Sequence, residues 1–141
     1  MVCLAESRGR RWQRLRKRRA AKAASDNAEV RAALDEAHAA ATQAFLDFKK
    51  TAKIAPEGHI IDACGFADVV VFKPSYRLRA TLKALGEIEQ GYKGAWSVSH
   101  FTRNVTEQSI TAHEVACRAA SEVLRRRFPG EGEFFATSRM D

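Results

Sequence analysis

The strongest chemical signal in the sequence is a dense group of basic side chains near the N-terminus. Nine of the fifteen residues from Arg8 to Lys22 are basic and none is acidic. The nine are Arg8, Arg10, Arg11, Arg14, Arg16, Lys17, Arg18, Arg19 and Lys22. The whole chain has 24 Lys and Arg against 17 Asp and Glu, so the other 15 basic residues leave the rest at a formal charge of −2. A cationic segment of this kind is attracted to polyphosphates or to anionic surfaces.

The composition of this segment favours nucleic acid as the partner. Arg outnumbers Lys seven to two in it, and the planar guanidinium suits bidentate contacts with phosphate and guanine. Trp12 lies among the arginines, and its ring could stack on an unpaired base. We therefore predict a small, basic, non-enzymatic protein that contacts the phosphates of DNA or RNA through a flexible or helical arm, residues 1–25. The alternative for the arm is a solvated leader or a localisation signal.

Three more cations extend the predicted interface. Strict alternation over residues 76–84 predicts a strand whose one face is cationic and whose other face is apolar. Arg77, Arg79 and Lys83 would share the cationic face, beside Thr81, and this is how β-sheet readers present cations to a duplex. The same residues also permit a helix started by Ser75, because Leu, Arg, Ala and Lys are good helix formers. The strand is the favoured interpretation.

Catalytic and metal-binding motifs are absent from the sequence. His59, His100 and His113 are scattered, and no pair has the i, i+4 spacing of a helical zinc site. Cys64 and Cys117 lie in apolar stretches, which predicts that both are buried as small hydrophobic residues. No GxSxG motif and no phosphate-binding Gly-rich loop occurs. We predict no catalytic residue, no cofactor and no metal site.

One short segment carries a resemblance to an enzyme family. Gly65-Phe66-Ala67-Asp68, followed by Thr81-Leu82-Lys83, resembles the Gly-x-Pro-Asp strand and the later Glu-x-Lys of the PD-(D/E)xK nucleases. The resemblance implies that Asp68 would hold a divalent cation and that Lys83 would assist the attacking water. Ala67 replaces the proline, and Thr81 stands where the family has its second metal-binding carboxylate. A nuclease with a degenerate site is therefore one alternative to simple binding.

A long helix is predicted to follow the arm, over residues 27–53. Its apolar stripe has steps of three and four residues, and Asp26 with Glu29 has the spacing of a capping box that would separate arm and helix. If this cap is not used, arm and helix form one rod. The stripe is mostly alanine in its first half and could pair with another helix, in a homodimer or with a protein partner. A small interaction or inhibitor protein, of the kind that mobile elements encode, acting on a larger nucleic-acid enzyme is thus a further alternative.

The rest of the chain predicts a small sheet and a last helix. Residues 59–64, 68–73 and 95–101 are β-rich runs, in addition to 76–84. Thr111 and Glu114 form a second capping-box spacing before a wide apolar stripe that Pro129-Gly130 ends. The predicted fold is α+β with two layers: an N-terminal helix, a three- or four-stranded antiparallel sheet and a C-terminal helix. Residues 26–130 would form one domain, and residues 131–141 a C-terminal tail.

The expected location of the protein follows from its cysteines and apolar runs. The three cysteines are odd in number and contain no CxxC motif, which favours a reducing compartment. No run approaches the roughly 18 apolar residues of a membrane span, and no apolar core of a secretory signal is present. We expect a cytoplasmic protein without a membrane partner, or a nuclear one if the source is a eukaryote.

Overall fold

In the part of the chain that the structure describes, three α-helices and one four-stranded sheet make up the fold. The computed structural model describes residues 4–141, and the side chains of residues 8–91 and 93–141; residues 1–3 of the predicted arm lie outside this range. In chain order the elements are α1 (Leu4–Thr51), β1 (Gly65–Phe72), α2 (Tyr76–Ala84), β2 (Ile88–Gln90), β3 (Ala95–Val98), α3 (Ile110–Arg127) and β4 (Glu133–Met140). The sheet is antiparallel, with the order β2-β3-β1-β4. The predicted α+β class is confirmed.

Helix α1 is continuous over 48 residues, so the break predicted at Asp26 is wrong. The carboxylates of Asp26 and Glu29 do not cap a helix end. Each instead accepts a hydrogen bond from Nη1 of Arg77, at 2.9 Å. Both acidic side chains therefore bind a residue of another helix. Because the residues on either side of Asp26 are good helix formers, the backbone remains helical through the predicted cap.

The second half of α1 anchors in the core through its apolar stripe. Val30, Ala33, Leu34, Ala37, Ala41 and Phe45 are buried, and α1 packs against α3 and α2. The small alanine side chains allow the helices to approach closely. The stripe that we considered for pairing with a partner or a second copy is therefore covered by the chain's own elements.

Residues 76–84 form helix α2, so the predicted strand is wrong. The Ser75 hydroxyl accepts a hydrogen bond from the backbone N–H of Leu78 at 3.2 Å and so caps the helix. Leu78 and Leu82, four residues apart, are both buried on one side. Helix propensity and the serine cap together outweigh the alternation of apolar and charged residues.

The fourth strand lies at the C-terminus, where a tail was predicted. Pro129 and Gly130 end α3, and the chain then turns back so that β4 pairs with β1 along all eight of its residues. Phe134 is buried in this pairing, against Phe128 at a ring-centroid distance of 6.4 Å. Residues 131–141 are thus largely part of the sheet.

The sheet has one buried and one more open face. Along β1 the odd-numbered residues, including Val69 and Val71, are buried together with side chains of all three helices. The even-numbered residues are half-buried or exposed, and Phe66 is 48% exposed. Helix α3 lies over β1 and β4. Its N-cap is Ser109, two positions before the predicted cap Thr111, and the Ser109 hydroxyl accepts from the backbone N–H of Ala112 at 3.1 Å.

Candidate nucleic-acid interface

The first half of α1 extends beyond the core as an exposed cationic helix, which we call the arm helix (residues 8–24). All nine of its Arg and Lys residues are exposed. Among the described side chains, no carboxylate forms an ion pair with any of the nine. Trp12 is also 60% exposed. The arm helix thus presents its positive charge to solvent, and no carboxylate among the described side chains neutralises it.

The cations are distributed around the arm helix. Successive residues of an α-helix are rotated by about 100°, so Arg11, Arg14 and Arg18 fall on one side, where they surround Leu15. Arg16 falls on nearly the opposite side. Fifteen residues span about 22 Å along the axis. Phosphates on both sides of the helix could therefore be reached at once.

The structure gives Arg77 a role within the fold. In addition to Asp26 and Glu29, it binds Glu131 in a bidentate manner, with Nε–Oε1 at 3.0 Å and Nη2–Oε2 at 2.6 Å. These hydrogen bonds raise the pKa of Arg77, and the bond to Glu131 contributes most. The same bond is the main cause of the lowered pKa of Glu131. We call this group of four residues the Arg77 clamp. Its guanidinium is surrounded by carboxylates, so we do not retain Arg77 in the candidate interface.

Arg79 and Lys83 lie together, but apart from Arg77. They are four residues apart on α2, and both stand over the ring of Trp96 in β3. The Arg79 Cζ atom is 5.9 Å and the Lys83 Nζ atom 5.0 Å from the ring centroid. These are cation–π distances. The three cations predicted to share one sheet face are therefore divided between two sides of a helix.

A groove runs between the base of the arm helix and α2; we call it the α1–α2 groove. Its volume is about 320 Å³. Arg19 and Lys22 line it from α1, and Tyr76, which is 79% exposed, lines it from α2. The sequence interpretation missed Tyr76, because a strand places it on the apolar face with Leu78. An aromatic residue directly after a Pro-Ser helix start was the available signal.

A second cleft, of about 530 Å³, lies beside the start of α3, and its polar groups mostly bind one another. Asp62 accepts hydrogen bonds from the Ser109 hydroxyl at 2.6 Å and from the Thr111 backbone N–H at 2.9 Å. These bonds lower the pKa of Asp62 from 3.8 to about 2. Glu107 accepts from the Ile60 backbone N–H and pairs with Lys49 at 3.4 Å. The main role of Asp62 in this cleft is thus to cap the start of α3.

The two described cysteines differ in their surroundings. Cys117 is buried as predicted, and burial raises the pKa of its thiol to about 12. Cys64 is exposed and lines the second cleft, so the prediction that it is buried is wrong. The backbone of Cys64 lies just before β1, where a bridge to Ser109 leaves the side chain outside the core.

The residues of the nuclease resemblance do not converge in space. Asp68 is exposed on β1, whereas Lys83 lies on helix α2 with its ammonium group over Trp96. Thr81 is buried and donates a hydrogen bond to the backbone oxygen of Arg77. Packing explains why residue 65 is a glycine, because a Cβ atom there would lie 2.6 Å from the backbone oxygen of Arg139. In the described part of the chain, no three His, Cys, Asp or Glu side chains form a group that could hold a metal ion.

Comparison of the chain with protein-family models, with curated protein sequences and with solved structures finds no match. Among the described residues, no helix combines the length and the apolar character that crossing a bilayer requires. The functional conclusion therefore depends on the chemistry of the surface itself.

Proposed function

We propose that this chain binds nucleic acid without catalysing a reaction, and that the arm helix supplies the contacts, mainly to phosphates. One observation carries the proposal. Nine cations, from Arg8 to Lys22, are exposed on a single helix that continues without a break into the packed core. Cations without carboxylate partners gain most from a polyphosphate, because binding releases the counterions condensed on it.

The dimensions of the arm helix suit a nucleic-acid groove. An α-helix with its side chains is about 10–12 Å wide, and the major groove of B-DNA is about 12 Å wide. Cations on opposite sides, such as Arg16 and Arg18 at about 200° from one another, could meet the phosphates of both groove walls. A helix that lies on a flat anionic surface would instead need its cations on one side only.

The remainder of the chain supports the arm helix. The Arg77 clamp joins α1 to α2 and to Glu131 at the point where α1 leaves the core. This fixes the direction in which the arm helix projects. A preordered cationic helix loses less conformational entropy on binding than a disordered arm does.

Truncation tests the proposal directly. Deleting residues 1–24 removes all nine cations but keeps Asp26, so the Arg77 clamp and the buried stripe from Val30 onward remain. We expect cooperative unfolding to persist in circular dichroism, while affinity in a gel-shift titration with a random duplex falls by orders of magnitude. Undiminished binding by the truncated protein would contradict the proposal.

Two matched triple variants show whether nucleic-acid affinity depends on the position of the cations or only on the total charge. The triple variant Arg14→Gln, Lys17→Gln, Arg18→Gln removes three charges from the arm helix. The control Lys50→Gln, Arg118→Gln, Arg126→Gln removes three exposed charges elsewhere. We expect the first to weaken binding strongly and the second to weaken it little. Equal losses would mean that net charge, and not the arm helix, attracts the nucleic acid; binding only to an acidic protein would favour the inhibitor alternative.

A further inference from the structure

We propose that the α1–α2 groove holds one unpaired nucleotide of the nucleic acid that the arm helix binds. This inference rests on the proposed function and makes it more specific, because it assigns a preference for nucleic acid with single-stranded segments. Four residues carry it: Tyr76 for the base, Arg19 and Lys22 for the phosphate, and Asn27 for the base edge.

Tyr76 is the aromatic group of the groove. It is the first residue of α2 and remains 79% exposed, more than any other large apolar or aromatic side chain among those described. Its ring neither packs in the core nor contacts another aromatic ring in the described structure. A fold gains little from so exposed a ring, whereas a base stacked on it is stabilised whatever its identity.

The opposite wall of the groove carries the complementary charge. Arg19 and Lys22 line it from α1, and both are exposed. Asp26 also lines the groove, but its carboxylate is bound to Arg77 at 2.9 Å. The Arg77 clamp thus neutralises the carboxylate that would otherwise repel a phosphate. The free charge in the groove is positive.

Asn27 offers hydrogen bonds between these two walls. It lines the groove and is half-buried, and its side-chain amide has no protein partner among the described residues. An amide has both donors and an acceptor, so it can pair with a base edge. The alanines Ala23 and Ala80 on the groove walls leave room for a flat ring. The volume of about 320 Å³ is at the lower end of small-ligand sites, which start at about 300 Å³.

Trp12 extends this site along the arm helix. It is seven residues before Arg19, about two helical turns, and so lies on the same side of α1 at a distance of about 10 Å. A single strand that leaves the groove along this side meets a second exposed ring, with Arg8 and Leu15 beside it. The two rings and the cations between them resemble the general plan of single-strand binding surfaces.

The test compares how tightly the whole chain binds two nucleic-acid probes. Fluorescence anisotropy measures its affinity for an unstructured single-stranded oligonucleotide and for a blunt duplex with the same number of phosphates. We expect Tyr76→Ala to weaken single-strand binding about tenfold or more, as loss of one base–aromatic stack does, and to leave duplex binding unchanged. Tyr76→Phe keeps the ring and should bind like the wild type. Because Tyr76 is exposed, the thermal unfolding of both variants should match that of the wild type.

The outcomes separate this inference from the proposed function. Unchanged single-strand affinity in Tyr76→Ala, or an equal loss on both probes, overturns the groove as a nucleotide site while the arm helix stands as a phosphate-binding element. A wild-type chain that binds neither probe overturns both proposals. Reduced single-strand affinity in Asn27→Ala, with the duplex unaffected, would support the assignment of the base edge.

Discussion

The two halves of α1 have the same backbone conformation and opposite surroundings. In residues 8–24 every side chain is exposed except Leu15, which is half-buried. From Val30 to Phe45 one side of the same helix is buried under α3 and α2. Most helical stability in proteins comes from tertiary packing, so the second half holds the helix in place and the first half extends from it.

Charge separates the two halves as clearly as burial does. The arm helix holds nine cations and no carboxylate, whereas the rest of the chain is slightly acidic. The Arg77 clamp lies at the boundary, where two carboxylates of α1 meet the guanidinium of α2. The single helix α1 thus contributes to the core with one half and to the proposed binding surface with the other. The change from small apolar residues to arginines marks where one role ends.

Two leucines of α1 provide the sharpest test of this difference, and the largest expected effect. Leu34 is 5% exposed in the core, and Leu15 is half-buried on the arm helix. Leu34→Ala should lower the free energy of unfolding by about 2–5 kcal/mol, as other buried leucines do. Leu15→Ala should lower it by less than about 1 kcal/mol. Urea unfolding followed by circular dichroism measures both; similar losses would mean that the arm helix is packed.

The Arg77 clamp gives an intermediate effect. Arg77→Ala leaves three carboxylates close together without their cation. Exposed ion pairs contribute up to about 1 kcal/mol each, and bidentate ones are at the upper end, so we expect a loss of about 1–2 kcal/mol in unfolding free energy. Duplex affinity should fall little compared with the arm-helix triple variant. A large loss of affinity in a stable Arg77→Ala protein would return this residue to the interface.

The cap of α3 gives the smallest effect, and it depends on pH. The folded-state pKa of Asp62 is about 2, below its ordinary value of 3.8. Its contribution to stability is therefore fully present above about pH 4 and is lost as the pH falls towards 2. Asp62→Asn should be less stable than the wild type at pH 6, and this difference should shrink at pH 3. Urea midpoints at the two pH values check this; a difference that grows on acidification would contradict the cap.

Long, strongly periodic elements could be predicted from the sequence, and short ones could not. The stripe from Val30 to Phe45 and the wide stripe of α3 both correspond to real helices. Residues 76–84 allow two periods over only nine positions, and the serine cap decides between them. The three residues of β2 contain too little pattern to predict a strand. Strand β4 could not be predicted from its own residues, because its conformation depends on pairing with β1.

The candidate site divides in the same way. The charge of the arm helix can be read from composition alone, because it depends on no contact. The Arg77 clamp requires residues 51 and 54 positions apart to meet, and no local pattern reports such contacts. Tyr76 and Asn27 face one groove only because α2 is a helix and α1 continues through Asp26. Both of these features differ from the favoured sequence interpretation.

The salt dependence of binding tests the central claim most directly. If the arm helix contacts five or six phosphates of a duplex, log K should fall against log salt with a slope of about −5, at roughly 0.9 per phosphate. The chain without residues 1–24 should bind too weakly to measure, or with a slope near zero. A slope near zero in the full-length chain, or an equally steep slope after the deletion, would contradict the claim that the arm helix is the nucleic-acid interface.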